Sequence, residues 1–423
     1  MRRLTWWLVA IIVTSCGTTV GTTPQGVTSP GAGAPSASVV PPSRSAASPS
    51  SPSPTAQATL GALPGRTAAP SPRVTALGAL RGELVFASRM VESAPGVADV
   101  ELWVIPVDGR PAQLVVRTAR WGDPVFVRQQ LSPDGKRFAF SVPTAAGAKI
   151  WIADLFSGTA SPLVTDAAFR FDTQPVWNPV GDTLAFARSD DAFVNAAVWI
   201  IGADGRGLRK IADGSQTTPT YLYPWTSDGR MVAFARGVGY SFVDITTGAT
   251  AELADTVSGS ASWRLATPRY IAQAWEPVTN IGLFIAGDTP GGQRRTIMRF
   301  DTPATRPRWS PMRDEFLFLR SKTSNEGLPA VEIAIANADG TGARAVPVKG
   351  RVSGAEWSSD GESIIYLHEE LIASTQTVAV FPSTLRAVRR DGSGERDLFV
   401  SPRGTADPYP MTIDLDYAIR SVR

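Results

Sequence analysis

A ten-residue phrase returns five times along the chain: "LSPDGKRFAF" (131–140), "WNPVGDTLAF" (177–186), "WTSDGRMVAF" (225–234), "WSPMRDEFLF" (309–318) and "WSSDGESIIY" (357–366). Its starts are 46, 48, 84 and 48 residues apart, and a degenerate copy at Trp263 divides the 84 into 38 and 46. In each clear copy an aromatic residue follows the first position by nine: Phe140, Phe186, Phe234, Phe318 and Tyr366. A second phrase keeps the same step, with Trp103, Trp151 and Trp199 at intervals of 48 in "LWVIPVDG", "IWIADLFSG" and "VWIIGADG". A fixed period of this size means that the fold is built by repetition.

Each unit reads as two hairpins. Asp-Gly supplies the positive φ that a tight hairpin turn requires. Proline beside the turn fits a strand end and not a central ladder. The alternating apolar residues of "RFAF" and "MVAF" describe half-buried strands. Four strands every 46–48 residues predict an all-β fold, a single β-propeller closed around a central channel. Units centre on 82–118, 123–165, 170–213, 216–255, 259–300, 304–348 and 351–400, which predicts seven blades of four strands, with six or eight as alternatives. The first unit has the weakest leading strand, so the tail "DPYPMTIDLDYAIRSVR" is expected to join it and close the ring. The only stretches long enough for helix are the N-terminus and part of 352–380. The repeated phrase is therefore scaffold. The sialidase-type Asp-box fails, because "SPDGK" and "TSDGR" place Asp directly against Gly.

"LSPDGKRFAF" with "IWIADL", and "WSPMRDEFLF" with "IAIANADG", resemble the PD40 repeat. This WD40-like blade occurs in TolB-like periplasmic proteins and in propellers attached to some peptidases. The resemblance covers about residues 82–400 and implies the fold; propellers host many functions. TolB-like proteins carry a small α/β domain ahead of the propeller, where this chain has a low-complexity segment.

That segment sets the domain organisation. Residues 17–72 are almost entirely Gly, Ala, Pro, Ser, Thr and Val, and residues 1–73 contain no Asp or Glu. Such a composition cannot bury enough apolar surface to offset its ordering entropy and predicts a disordered linker. Arg2, Arg3, Arg44, Arg66 and Arg73 also lie there; without these five of the 41 Lys and Arg, 36 basic residues face 38 acidic ones, a formal −2. The whole-chain charge of +3 is therefore no nucleic-acid footprint.

The chain opens on "MRRLTWWLVAIIVTSCG": two arginines, a short apolar stretch over 4–13, then small residues and the chain's single cysteine. Ten residues are too few for a hydrocarbon core of roughly 30 Å and suit the h-region of a secretory signal. "VTSC" resembles the bacterial lipobox. The resemblance implies a lipoprotein signal peptide over 1–15, lipid on Cys16, a tether over 16–73 and a propeller over 74–423. The alternative is an ordinary signal peptide with an incidental cysteine. As a flexible coil the linker would span about 40 Å, holding a monomeric head off the periplasmic or extracellular face of a membrane.

Motif-borne chemistry is scarce. His368 is the only histidine, which leaves almost nothing for zinc sites or His-based triads. No GxSxG elbow, phosphate loop or EF-hand loop appears, so neither metal nor cofactor is expected. Candidate binding residues lie just before the inner strands, at one mouth of the channel: Trp121 and Asp123, Arg170 and Asp172, Tyr221 and Tyr223, Arg306 and Arg308, and Arg351. Aromatic and arginine side chains are favoured interface anchors. The reading is a non-catalytic envelope module that binds a peptide or protein. The alternative is a propeller enzyme acting on glycans or peptides through a carboxylate pair.

Overall fold

A computed structural model describes residues 69–94, 97–119, 127–190, 196–214, 220–235, 240–253, 257–276, 281–300, 304–322, 330–373, 378–401 and 413–423. The signal segment, Cys16 and the linker through residue 68 lie outside the described residues.

The seventh unit shows how the phrase makes a hairpin pair. Its strands Arg351–Trp357, Ser363–Ala373, Val378–Arg389 and Arg396–Val400 pair antiparallel in sequence order. Between the first two, Ser358 Oγ accepts from the Ser363 N–H at 2.9 Å, and Asp360 Oδ1 accepts from the Glu362 N–H at 3.0 Å. Gly361 takes φ +68° to complete the turn. Ser132 with Asp134, and Thr226 with Asp228, repeat this arrangement. The hydroxyl and the carboxylate thus satisfy turn N–H groups that would otherwise lack partners.

The repeat's tryptophans join neighbouring units. Trp225 Nε1 donates to the Val176 carbonyl at 3.1 Å, and Trp357 Nε1 donates to the Arg308 carbonyl at 2.9 Å. Each acceptor is the residue just before the tryptophan of the preceding unit. Ion pairs also cross between consecutive units: Arg137 pairs with Asp182, Arg264 with Asp314 and Arg313 with Glu362. The phrase is scaffold.

Apolar side chains gather in seven clusters. Each is shared by two consecutive units, and one joins the seventh unit (Ile365, Leu367) to the first (Val85, Ile105). The C-terminal strand Ile413–Val422 pairs with Gly82–Ala94, with Glu83 opposite Ser421. It therefore takes the innermost place of the first sheet, as expected of the tail. Its two faces serve two interfaces: Ala418 and Val422 pack toward the second unit, and Ile419 toward the seventh. The chain is a β-propeller.

The strand pairing corrects two expectations. Hydrogen bonds resolve six sheets among the described residues, not seven separate four-stranded ones. Five are self-contained blades of four or five strands, and the sixth has seven strands. The larger sheet contains the second and third units, tied by one parallel bridge between Ala148 and Phe171. Gly147 permits this: a Cβ there would lie 2.2 Å from the Arg170 carbonyl oxygen, which instead accepts from the Ala148 N–H at 3.1 Å. The first blade gains a fifth, outer strand, Arg73–Val74. The other correction concerns 352–380, whose described residues lie in the strands Arg351–Trp357, Ser363–Ala373 and Val378–Arg389 and the turn between the first two; the last two strands pair with each other. β-Branched residues there favour the pleat over a helix. The one helix among the described residues is Val127–Gln130.

Candidate functional site

The innermost segments of the units form the wall of the axis. Phe171–Trp177, Leu222–Tyr223, Val257–Trp263, Ala304–Trp309, Arg351–Trp357, the C-terminal strand and the helix Val127–Gln130 hold this place in their units. Three of these strands carry one extra residue relative to the strand they pair with. The ladder slips between Thr173 and Val176, between Thr305 and Arg308, and between Val352 and Gly354. Gln174 and Arg306 hold equivalent places, in "TQPVW" and "TRPRW", and both have φ +55°. A left-handed non-glycine residue costs of order 1 kcal/mol and is retained where its surroundings fix it. Gln174 shows how: its Oε1 accepts from the Leu222 N–H at 3.0 Å and its Nε2 donates to the Thr220 carbonyl at 3.2 Å. The bulge thus turns a side-chain amide outward to tie the next unit's inner strand.

At the level where the inner strands begin, the sequence-predicted residues meet different fates. Asp172 is fully buried, with Lys149 Nζ at 2.6 Å and Arg188 Nε at 2.7 Å. Arg188 also reaches Asp166 at 2.6 Å and lies over the rings of Phe169 and Trp199. Burial pushes the Asp172 carboxyl's pKa up, while the two cations pull against that shift. This network ties the second and third units, so Asp172 is an interior residue and not one of the mouth. Arg170 is half-buried, and its carbonyl makes the contact to Ala148. Tyr223 packs on Tyr240 with ring centroids 4.4 Å apart. Burial raises both phenol pKa values above the ordinary range. Tyr221 stays 39% exposed. Arg351 pairs with Glu369 at 3.4 Å, and burial raises the pKa of that glutamate despite the guanidinium. Trp121 and Asp123 lie outside the described residues.

Arg308 sits at a deeper level. Arg351 and Glu356 are five residues apart on one strand, about 15 Å at the usual rise per residue. Glu356 Oε2 receives Arg308 Nε at 3.2 Å and also pairs with Arg128. Its Oε1 accepts from the Trp357 N–H at 3.1 Å. Arg420, on the closing strand, donates to the Arg128 carbonyl at 3.3 Å. Arg128 belongs to the second unit and Glu356 to the seventh, with the first unit between them. A contact that skips a unit is made only near the axis. This cluster of three guanidinium groups and one carboxylate therefore lies in the channel.

Sequence reasoning named Arg308 but missed Arg128, Glu356 and Arg420. A signal was present. Arg308 and Glu356 each precede a repeat tryptophan, and side chains alternate along a strand. A tryptophan packed in the core therefore puts the residue before it on the opposite face. Trp357 is 3% exposed within the cluster between the sixth and seventh units, so Glu356 is turned away from that core.

His368 is half-buried in the middle of the strand Ser363–Ala373, where burial lowers its pKa. The ring lies against Gly350, whose missing Cβ would fall 2.2 Å from its Cε1. It packs the connection between the sixth and seventh units.

No protein family profile matches the sequence, and neither does any curated protein. Solved structures that resemble the chain include TolB from Acinetobacter baumannii, at 13% identity over 81% of this chain and 67% of that one, with a TM-score of 0.40. The β-propeller domain of the Trilobed protease from Pyrococcus furiosus is 13% identical over 78% of this chain and 95% of that one, with a TM-score of 0.49. An oligogalacturonate lyase in complex with manganese is 14% identical over 77% and 76%, with a TM-score of 0.35. These neighbours include the propeller domain of a protease and a lyase.

Proposed function

We propose that this chain is a lipid-anchored, non-catalytic propeller of the bacterial cell envelope that holds a peptide or protein partner in the mouth of its channel. The observation that carries the reading is the lining of the axis. Several units contribute charged and aromatic side chains to it, Arg308, Glu356, Arg351 and Tyr221 among them, where a sealed core would place aliphatic ones. Lipid on Cys16 and the linker behind it would keep this mouth accessible above a membrane, on its periplasmic or extracellular face. The ring is read as seven blades, the seven-stranded sheet counting as two. The seven apolar clusters, each shared by consecutive units, support that count.

The test uses the full chain, extracted with its lipid and immobilised, against an envelope extract. The Tyr221→Ala and Arg351→Ala variants are expected to recover less partner than the parent. Equal recovery by all three would remove this mouth from the account. Turnover of a glycan or peptide panel by the purified chain, abolished by one carboxylate change, would replace the binding role with an enzymatic one.

A further inference from the structure

The geometry points to a second binding site, for a small aliphatic α-amino acid, in a cavity between the fourth and fifth units. The site goes beyond the partner-binding reading and does not rest on it; among the described residues no candidate mouth residue lines it. The cavity holds about 470 Å³, inside the roughly 300–1,000 Å³ usual for small-ligand sites. Glu252 and Leu253 come from the outer strand Thr250–Leu253 of the fourth unit. Tyr270 opens the strand Tyr270–Trp275 of the fifth unit, and Gly291 and Gly292 belong to the turn before its outer strand, which Arg294 begins. Two glycines shape the space. Gly291 has φ +73°, and a Cβ there would lie 3.0 Å from that of Ala251, so the turn sits close against the fourth unit's outer strand. Gly287 faces Tyr270 across the fifth unit's pairing, and a Cβ there would lie 2.7 Å from the phenol oxygen, so the ring lies across bare backbone.

The lining selects the ligand. Tyr270 is 1% exposed and packs on Trp263 with ring centroids 5.4 Å apart, yet its hydroxyl makes no hydrogen bond among the described residues. A buried hydroxyl without a partner is costly, and a ligand acceptor removes that cost. Burial pushes the Tyr270 pKa up and the Arg294 charge draws it back, so that guanidinium stands near the hydroxyl. A carboxylate accepts from both. Glu252 supplies the opposite charge from the fourth unit. Neither Glu252 nor Arg294 makes an ion pair among the described residues, so the two charges line the cavity without neutralising each other. A zwitterion satisfies both. A plain anion would be repelled by Glu252 and a plain amine by Arg294. Leu253 gives the cavity an apolar wall, and the side-chain-free turn at Gly291 and Gly292 leaves room for an aliphatic group.

Isothermal titration calorimetry on the full chain tests the site with L-leucine, with isocaproate, which lacks the ammonium group, and with isoamylamine, which lacks the carboxylate. L-leucine is expected to bind about tenfold more tightly than either. Tyr270→Phe removes only the unpartnered hydroxyl, so it should leave thermal stability unchanged or raised while weakening L-leucine binding about tenfold. Damage to the fold would lower both together. Glu252→Gln, at an exposed position, should weaken L-leucine binding about tenfold and bring isocaproate level with it; this variant decides the matter if Tyr270→Phe does not accumulate. No binding of L-leucine at millimolar concentration overturns the site. Equal affinity of the parent for L-leucine and isocaproate overturns the assignment to a zwitterion. L-leucine affinity unchanged by both substitutions overturns the assignment to this cavity. Both variants should still capture a partner at the mouth as the parent does, so the two readings fail separately.

Discussion

Asn in place of Asp244 is expected to remove a defined, pH-dependent part of the stability. Asp244 ends the strand Tyr240–Asp244 and is 4% exposed. Its Oδ1 accepts from the Thr246 N–H at 2.8 Å and the Thr247 N–H at 2.9 Å, and its Oδ2 from Arg230 Nε at 2.6 Å. The Thr247 N–H, with help from Arg230 and the Thr246 N–H, lowers its pKa from 3.8 to about 2 against the opposing effect of burial. At about 1.4 kcal/mol per pKa unit this amounts to between about 2 and 3 kcal/mol. The Arg230 side chain is 67% exposed, so solvent screens its share, and about 2 kcal/mol is the working figure. The folded pKa lies below the unfolded one. The contribution is therefore present above about pH 4 and is lost as pH falls through about 2, with roughly half remaining at pH 3. Asn cannot ionise, and its amide nitrogen opposes Arg230. Urea unfolding of parent and Asp244→Asn at pH 7, 5, 4 and 3 measures the difference directly. A gap of about 2 kcal/mol that narrows toward pH 3 is expected. A gap that is absent at pH 7, or constant down to pH 3, would refute the reasoning.

Two further pairs of substitutions test the joints between units by urea denaturation. Trp357→Phe leaves the Arg308 carbonyl without its indole donor and should cost about 1–3 kcal/mol beyond lost packing. Trp309→Phe should cost less, because the Trp309 Nε1 has no partner among the described residues; equal losses would discount the indole bond. Gly229→Ala puts a Cβ 2.3 Å from Val180 Cγ2 at φ +71°, whereas Gly248→Ala meets nothing within 4 Å at φ +73°. Both bear the left-handed penalty of about 1 kcal/mol, and only Gly229→Ala should lose clearly more; matched losses would count against the close approach of the third and fourth units.

Much of the fold was legible because the repeat's chemistry is local. Ser132, Asp134 and Gly135 make their turn from neighbouring backbone, so the phrase predicts its own hairpin wherever it recurs. The tail could be assigned to the first unit because that unit lacked a convincing leading strand. Features set by contacts between units were hidden. Nothing near Gly147 announces that the Arg170 carbonyl will approach it and merge two units into one sheet. Asp172 read as a mouth residue because its burial depends on the hairpin register that sets Arg188 opposite it and on Lys149, which comes from the preceding unit. The axial cluster draws Arg128, Arg308, Glu356 and Arg420 from four separate units, and only ring closure brings them together. The bulges at Gln174 and Arg306 had a trace in sequence, the shared Thr-x-Pro-x-Trp spacing, but their left-handed backbone did not.

The channel exists only if the C-terminal strand closes the ring, and a disulfide tests that closure most directly. Glu83 and Ser421 face each other in the antiparallel pair. Facing residues in such a pair have Cα atoms about 4.5–5.5 Å apart, within the roughly 4.4–6.8 Å that a disulfide spans. With Cys16 changed to Ser, the full chain carrying Glu83→Cys and Ser421→Cys has no other thiol. Mild oxidation is expected to close nearly all molecules into an intramolecular disulfide. The closed form should migrate faster on a non-reducing gel and resist thermal unfolding better than its reduced form. A control with Glu83→Cys and Asp204→Cys, the latter in a turn of a different sheet, should stay reduced. Two thiols that remain open to maleimide in the Glu83–Ser421 pair, or a control that oxidises as readily, would contradict the closed ring.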